Sequence, residues 1–274
     1  MKGDITVKKY VLTFLLLGMA ALLIAGCGES DKDNSWSKVE KNGEFVLGLD
    51  DSFPPMGFRD ENGAIVGFDV DIAKEVCSRL NIELKLQPIN WDAKEQELNS
   101  GKIDCIWNGF TITEERKNNL LFTEPYMNNR QVLIVSADAA FQTQADLKGK
   151  KLGLQAGSSA ADALNSAADF KTGLKEVVEF DDNMTALMDL EKGGIDAVLM
   201  DEIVARFYIQ NKNKKYQVLD EELAKEDYGI GFRKQDQELM EKIQDTLKDM
   251  AKDGKSAEIS AKWFGKDITT ITAE

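Results

Sequence analysis

Four short segments of this sequence concentrate the residue types that bind small polar molecules. Carboxylates can hold an ammonium group, amides and hydroxyls can orient a ligand, and aromatic rings can cover its apolar part. We therefore predict that these segments line one specific small-molecule cleft. The segments are Asp50-Asp51-Ser52-Phe53, Asn108-Gly109-Phe110-Thr111, Gln155-Ala156-Gly157-Ser158-Ser159 and Met200-Asp201.

Arg116 and the segment Gly157-Ser158-Ser159 are candidates for binding an anion. A guanidinium can meet a carboxylate through two parallel hydrogen bonds. The glycine and serines open a predicted helix, whose free N–H groups and dipole also favour an anion. Taken alone, Arg116 is better explained as a solvated helix arginine, and the serines could simply cap their helix.

An internal repeat indicates the elements that position these residues. Residues 98–104 and 190–196 share the pattern Leu-x-x-Gly-x-Ile-Asp, and an apolar run follows each of them. A glycine just past a helix suits a left-handed cap, and the apolar run predicts a buried strand. Upstream, residues 47–49 and 152–154 both read Leu-Gly-Leu and predict two further strands.

Helices are predicted over Phe68–Leu80 and over residues 159–168, so strand–helix–strand–helix–strand occurs twice. This alternation predicts an α/β fold of two lobes with mostly parallel sheets. The four polar segments follow predicted strands, where open α/β sheets bind ligands. Residues 236–264 predict a helix pair that packs back onto a lobe.

The first 26 residues predict an export signal, with a basic start and an apolar stretch over residues 10–25 that is short for a membrane span. The small residues before Cys27 resemble a bacterial lipobox, which implies that Cys27 carries a lipid such as palmitate. An ordinary signal peptide with an incidental cysteine is the alternative. Residues 27–43 are predicted to be the lipidated cysteine and a flexible polar tether.

Composition excludes several classes of function. The net charge is −14 and no basic run is present, which argues against nucleic acid and anionic membrane surfaces as partners. The chain has no histidine and three cysteines, which excludes Ser–His and Cys–His pairs and most zinc sites. We expect no metal and no cofactor. Cys77 and Cys105 could form a disulfide or pack as small apolar residues.

Seven segments in order give the chain a resemblance to family 3 solute-binding proteins, the amino-acid-binding components of ABC importers. The resemblance covers about residues 43–267. It implies a periplasmic-binding-protein type II fold with a ligand cleft between the lobes, lobe one at 44–130 plus 228–274, and lobe two at 131–227. Residues 131–135 and 228–232 would be the hinge strands. It also implies an extracytoplasmic monomer, attached to the membrane only through its lipid, that delivers its ligand to an ABC permease. The segments are Gly48-Leu49-Asp50 with Phe53-Pro54-Pro55, Gly67-Phe68-Asp69-Val70-Asp71, Gly101-Lys102-Ile103-Asp104, Thr111-Ile112-Thr113-Glu114-Glu115-Arg116, Phe122-Thr123-Glu124-Pro125-Tyr126, Asp146-Leu147-Lys148-Gly149-Lys150 and Trp263-Phe264-Gly265.

The resemblance also implies a role for each site residue. Arg116 would bind the ligand α-carboxylate with Ser158 and Ser159. Asp201 would bind the α-ammonium, with the Thr111 hydroxyl and the Gly109 carbonyl.

The same resemblance places Phe53 and Trp91 on either side of the ligand side chain. The remaining positions face the variable part of the ligand: Asp50, Asn108, Gln155 and Met200. Because a carboxylate at position 50 would repel a second acid, we predict a basic or neutral polar amino acid, with cystine still possible.

Two other functions are compatible with this fold. A dehydratase would need a carboxylic acid in the cleft, for which Glu114 and Glu124 are the candidates. The chain could also serve as an amino-acid-sensing module that works with a separate receptor.

Overall fold

Thirteen strands and ten α-helices form the part of the chain that the structure describes. The structure is a computed structural model that describes residues 33–211 and 214–273. The predicted export signal and Cys27 lie outside these residues. The strands are β1 Glu44–Leu49, β2 Ser52–Phe53, β3 Gly57–Arg59, β4 Ile65–Val66, β5 Glu83–Pro88, β6 Cys105–Ile106, β7 Leu120–Phe122, β8 Met127–Ser136, β9 Lys151–Gln155, β10 Glu176–Phe180, β11 Ala197–Asp201, β12 Tyr216–Tyr228 and β13 Gly231–Arg233.

The strands form two five-stranded sheets and one three-stranded sheet. The first sheet has the order β5-β1-β6-β13-β7, and the second has the order β10-β9-β11-β8-β12. Strand β1 pairs in parallel with β5 and β6, and β9 pairs in parallel with β10 and β11. In each sheet the other two pairings are antiparallel: β13 with β6 and β7, and β8 with β11 and β12. The predicted α/β fold is therefore confirmed, but the two sheets are mixed rather than mostly parallel. Strands β8 and β12 pair along most of their lengths in the second sheet, and the residue limits of the two lobes stay a prediction.

Helices connect the strands and close the chain. The α-helices are Ser35–Asn42, Phe68–Leu80, Lys94–Asn99, Glu114–Asn119, Ser159–Ser166, Ala168–Gly173, Asn183–Lys192, Glu202–Asn211, Gln237–Lys252 and Lys255–Phe264, and 3-10 turns occupy Trp91–Ala93 and Gln144–Leu147. Helix Phe68–Leu80 has the predicted bounds. The predicted helix over 159–168 instead ends at Ser166. The last two helices confirm the predicted pair, and Leu239, Ile243, Leu247 and Met250 are all buried.

The repeat has a common structural basis in both sheets. A Cβ on Gly48 would lie 2.4 Å from Ile103 Cδ1, and one on Gly153 would lie 2.5 Å from Ile195 Cδ1. The isoleucine of each repeat therefore packs directly over the glycine of the neighbouring strand. The following aspartate holds the same strand: Asp104 accepts from the Val46 N–H, and Asp196 accepts from the Lys151 N–H, both at 2.8 Å.

The tether prediction is wrong for residues 35–42, which form a helix. Val39 is 4% exposed, and Trp36 packs against the main apolar cluster. Ser35 Oγ accepts from the Leu239 N–H at 3.1 Å. The segment has high average polarity, but its apolar residues fall on one face, which a helix can bury.

Cys77 and Cys105 are both buried and carry free thiols, so the structure favours the packing alternative over a disulfide. Within the described ranges, no helix is long and apolar enough to cross a membrane. The same residues contain no group of His, Cys, Asp and Glu side chains suited to a metal ion.

Candidate functional site

The structure brings the four polar segments together between the two sheets. Gln155 Nε2 donates to Asp50 Oδ2 at 2.8 Å. Gln155 is the last residue of β9 in the second sheet, whereas Asp50 directly follows β1 of the first sheet. Ser159 Oγ donates to Thr111 Oγ1 at 3.1 Å across the same cleft. The described chain thus has a closed cleft, and the predicted site residues within it are buried: Asp50, Phe53, Trp91, Asn108, Thr111, Arg116, Gln155, Ser158, Ser159 and Asp201.

Arg116 is a buried cation whose guanidinium binds only uncharged groups in the described chain. Its Nη1 donates to the Thr111 carbonyl at 2.8 Å, and its Nη2 donates to the Gly157 carbonyl at 3.3 Å. The guanidinium carbon lies 4.6 Å from the centre of the Phe110 ring. Burial lowers the pKa of Arg116. A buried guanidinium without a carboxylate partner is suited to bind an anionic ligand group.

Helix Glu114–Asn119 positions this arginine through its first turn. The Thr113 hydroxyl accepts from the Arg116 N–H at 3.1 Å and caps the helix. The serines on the opposite side of the cleft do not cap their own helix by side chain. Ser158 Oγ instead donates to the Gln155 carbonyl at 2.7 Å. That hydroxyl therefore does not satisfy the first N–H groups of helix Ser159–Ser166.

Asp201 is a carboxylate at the carboxyl end of β11. Its Oδ1 accepts from the Tyr228 hydroxyl and from Asn129 Nδ2, both at 2.6 Å. Burial, followed by the nearby charge of Glu226, raises the pKa of Asp201 to about 7. A carboxylate in this environment gains from an incoming cation, because the cation offsets the cost of burying its charge.

Gly109 is needed for its backbone conformation and for its small size. Its φ is +54°, and an added Cβ would lie 2.9 Å from Phe53 Cε1. Its N–H donates to Asp69 Oδ2 at 2.7 Å. Asp69, which also accepts from the Tyr126 hydroxyl at 3.0 Å, thus fixes the peptide between Asn108 and Gly109.

Asp50 lies at the other end of the cleft, in an acidic environment. Burial raises its pKa to about 6, and the charges of Asp182 and Asp51 contribute to the increase. Gln155 donates to Asp50, while Asn183 Nδ2 donates to Gln155 Oε1 at 3.1 Å. An ammonium or guanidinium group would be stabilised here, whereas a carboxylate would be repelled.

Comparisons with known proteins identify the family. The model of the bacterial extracellular solute-binding proteins, family 3, matches residues 45–266. This chain belongs to that family. It is 32% identical over 92% of its length to an L-cystine-binding protein of Escherichia coli, of which the match covers 94%.

Two further relatives point to other ligands. The chain is 33% identical to an L-arginine-binding protein of Pseudomonas aeruginosa, over 81% of this chain and 88% of the relative. It is also similar to a substrate-binding protein of an ABC uptake transporter from Streptococcus pneumoniae with bound histidine, with a TM-score of 0.84 and 39% identity over 87% of this chain and 98% of the other. The similarity to this solved structure confirms the predicted two-lobed architecture.

The aromatic residues of this family 3 solute-binding protein lie against cleft residues. Phe53 contacts the Gly109 position, and Trp91 packs edge-on to Phe110 with 5.7 Å between ring centres. Trp91 begins a 3-10 turn that continues into helix Lys94–Asn99. That the two rings enclose a ligand side chain stays a prediction.

The sequence analysis missed four residues of this solute-binding protein's cleft. Lys94 is buried, and its Nζ donates to the Gly157 carbonyl across the cleft at 2.7 Å. Asn129, Gln131 and Glu226 come from the adjacent strands β8 and β12 and surround Thr111 and Asp201. The available signal was that Gln131 lies in one predicted hinge strand, while Asn129 and Glu226 are polar residues two positions before the two predicted hinge strands.

The two acids nominated for a dehydratase lie outside the cleft of this solute-binding protein. Glu114 is 89% exposed and pairs with Lys117 at 2.8 Å. Glu124 is 54% exposed and pairs with Lys248 at 2.7 Å. Neither residue has the buried position that a general acid in the cleft would need.

Proposed function

We propose that this chain is the substrate-binding component of an ABC importer and that its lobes close around a basic L-amino acid such as arginine. The observation that carries the proposal is the distribution of buried charge in the cleft. Arg116 would bind the α-carboxylate, Asp201 the α-ammonium and Asp50 the cationic side chain. Each of these three residues has the charge opposite to that of the ligand group it would bind.

Relatives support an amino acid as the ligand, because they include proteins that bind L-arginine, histidine and L-cystine. The environment of Asp50 favours a basic ligand within this set. Asp182 and Asp51 add negative charge near Asp50. They would attract a side-chain cation more strongly than the far end of L-cystine, where a carboxylate accompanies the ammonium group and leaves no net charge.

A thermal-shift panel on the purified protein tests this proposal. The panel contains L-arginine, L-lysine, L-histidine, L-glutamine and L-cystine, and titration calorimetry follows for each amino acid that responds. A ligand at one hundred times its Kd stabilises the folded state by about 2.7 kcal/mol, so a specific ligand gives a clear rise in Tm. We expect the basic amino acids to give the largest rises.

The matched control is Asp201→Asn, which keeps the shape of the side chain and should reduce the response to every amino acid. The largest response to L-cystine would contradict the assignment of a basic ligand. A protein that responds to no amino acid would contradict the proposed function as a whole.

We also propose that the protein is exported, remains outside the cytoplasm, and is held at the membrane by a lipid on Cys27. The family is extracellular, and the basic-then-apolar segment before Cys27 has the composition of an export signal. The protein would act as a monomer that docks on its permease.

A further inference from the structure

We infer that Glu226 is a second carboxylate for the ligand's ammonium group, beside Asp201, and that it makes binding depend on a charged amino group. The inference rests on the proposed function, and it adds a specificity-determining residue to the site.

Glu226 lies where three donors meet. Its Oε2 accepts from Thr111 Oγ1 at 3.1 Å, from Asn129 Nδ2 at 2.9 Å and from Gln131 Nε2 at 2.9 Å. Gln131 Nε2 also reaches Ser159 Oγ at 3.3 Å. Glu226 thus contacts groups from both sides of the cleft, and one of them is the threonine expected to bind the ammonium group.

A single amide links Glu226 to Asp201. Asn129 Nδ2 donates to Asp201 Oδ1 at 2.6 Å and to Glu226 Oε2 at 2.9 Å. The two carboxylates are therefore separated by one shared donor group. Two like charges this close in a partly buried site destabilise each other, and a cation placed beside them would relieve the repulsion.

Nearby cations of the chain make their direct contacts with groups other than Glu226 and Asp201. Arg130 binds Glu202 and Glu222, and Lys225 lies 3.5 Å from Glu222. Arg116 is directed to the Thr111 carbonyl, while the Thr111 hydroxyl donates to Glu226. The cation best placed to neutralise the carboxylate pair is thus the ammonium group of the ligand.

The neighbours of Glu226 do not themselves require its charge. Its three donors are a hydroxyl and two neutral amides, and a glutamine side-chain oxygen could accept from the same groups. If Glu226 had only a structural role, glutamine could therefore replace it with little loss of stability. A carboxylate has an advantage at this position only when a cation enters the cleft.

Titration calorimetry with Glu226→Gln tests the inference. The ligands are L-arginine and guanidinovalerate, which is arginine without its α-amino group; competition against L-arginine measures the weaker binder. Hydrogen bonds to charged groups contribute about 1.5–3 kcal/mol, so the substitution should weaken L-arginine binding by about 10- to 150-fold. Binding of guanidinovalerate should change by less than about 2-fold, because it has no ammonium group to lose.

Asp227→Asn is the matched control, since Asp227 is the next residue, is exposed, and accepts from Asn128 Nδ2 at 2.6 Å. It should leave both affinities unchanged, and thermal melts should show that Glu226→Gln remains folded. Unchanged L-arginine binding in Glu226→Gln, or an equal loss for both ligands, would overturn the inference and leave the proposed function intact. A wild-type protein that binds no basic amino acid would instead remove the basis of both.

Discussion

Arg116 and Asp50 bring opposite charges to the two ends of one cleft, and both are buried. Arg116 donates to backbone carbonyls, whereas Asp50 accepts from a side chain on the opposite lobe. Every α-amino acid has the carboxylate assigned to Arg116. Only the side chain distinguishes one ligand from another, and it is assigned to Asp50. Substitution of these two residues should therefore have different effects on specificity.

Arg116→Ala should weaken binding of all amino acids by roughly 30- to 4,000-fold, because loss of one partner of a buried charge pair costs about 2–5 kcal/mol. The ranking of ligands should stay the same. Asp50→Asn should weaken a cationic ligand far more than a neutral one, since it removes the charge but keeps the shape. Calorimetric titration of both variants against one panel checks the pair, with the exposed Arg79→Ala as control. A reordered ranking in Arg116→Ala, or an equal loss for all ligands in Asp50→Asn, would reverse the assigned roles.

The pH dependence of binding follows from Asp50 and Asp201, whose pKa values burial raises to about 6 and about 7. A raised pKa means that the closed, ligand-free cleft retains protons that exposed carboxylates would lose. Protonation of these two carboxyl groups therefore stabilises the closed, ligand-free cleft fully at pH values below their ordinary pKa. This stabilisation is lost as the pH rises through about 6 and about 7. A cationic ligand prefers the ionised carboxylates, so binding should release protons and weaken as pH falls.

We expect affinity for a basic amino acid to be at least about 10-fold lower at pH 5 than at pH 8. Calorimetry near pH 6 in two buffers with different ionisation enthalpies would measure the released protons directly. In Asp50→Asn the part of the profile centred near pH 6 should disappear. An affinity that is constant across this range would show that neither carboxylate binds the cation.

At the scale of the elements, the repeat joins each Gly-x-Ile-Asp segment to the strand beside it. Ile103 covers Gly48 and Ile195 covers Gly153, and the aspartates bind the same strands through backbone N–H groups. The glycines allow the isoleucine side chains to pack directly against the strand backbone. This contact sets the position of the strand ends, where the cleft residues begin.

Gly153→Ala should lower the free energy of unfolding by about 1–3 kcal/mol, because its Cβ would lie 2.5 Å from Ile195 Cδ1 and 2.9 Å from Phe180 Cε2. Ile195→Val removes Cδ1, so Gly153→Ala should lower the free energy of unfolding by less in an Ile195→Val protein than in the wild type. Chemical denaturation measures both effects. Gly173→Ala is the matched control, since no heavy atom lies within 4 Å of its added Cβ and it should be neutral or slightly stabilising. Equal losses at positions 153 and 173 would contradict the packing explanation.

At the scale of the whole molecule, several hydrogen bonds cross the cleft: Lys94 to Gly157, Gln155 to Asp50, and Ser159 to Thr111. A ligand that contacts both sides adds further bonds of this kind and favours the closed arrangement. Small-angle scattering should therefore give a smaller radius of gyration with saturating ligand than without. An identical radius in the two states would count against closure of the lobes on the ligand.

The membrane anchor gives a separate prediction about the whole molecule. Cys27→Ser should release the protein from the membrane fraction, because it removes the thiol that would carry the lipid. Ligand affinity should not change, since the cleft residues lie far along the chain, from Asp50 onward. Fractionation after a high-salt wash, with Cys77→Ser as the control for loss of a thiol, measures the effect. A Cys27→Ser protein that stays in the membrane fraction would contradict the lipid anchor.

The sequence by itself determined the elements and the residues at their ends. The period of apolar residues predicted helix Phe68–Leu80, and glycines at 101 and 193 marked helix ends where the structure has φ of +78° and +74°. These signals are local, because a helix face or a left-handed cap depends on residues only a few positions apart. Arg116 and Asp201 were also identifiable, through motifs or strand ends that can be read over short stretches.

Only the tertiary structure decided which polar residues share the cleft. The bond from Thr111 to Glu226 spans 115 positions and that from Asn129 to Glu226 spans 97, so no local pattern contains them. Helix Ser35–Asn42 similarly depends on its packing against residues near Leu239. Such contacts form because folding places distant strands side by side. The polar groups that meet there acquire their binding properties from being buried together, and the local sequence around each one does not indicate this.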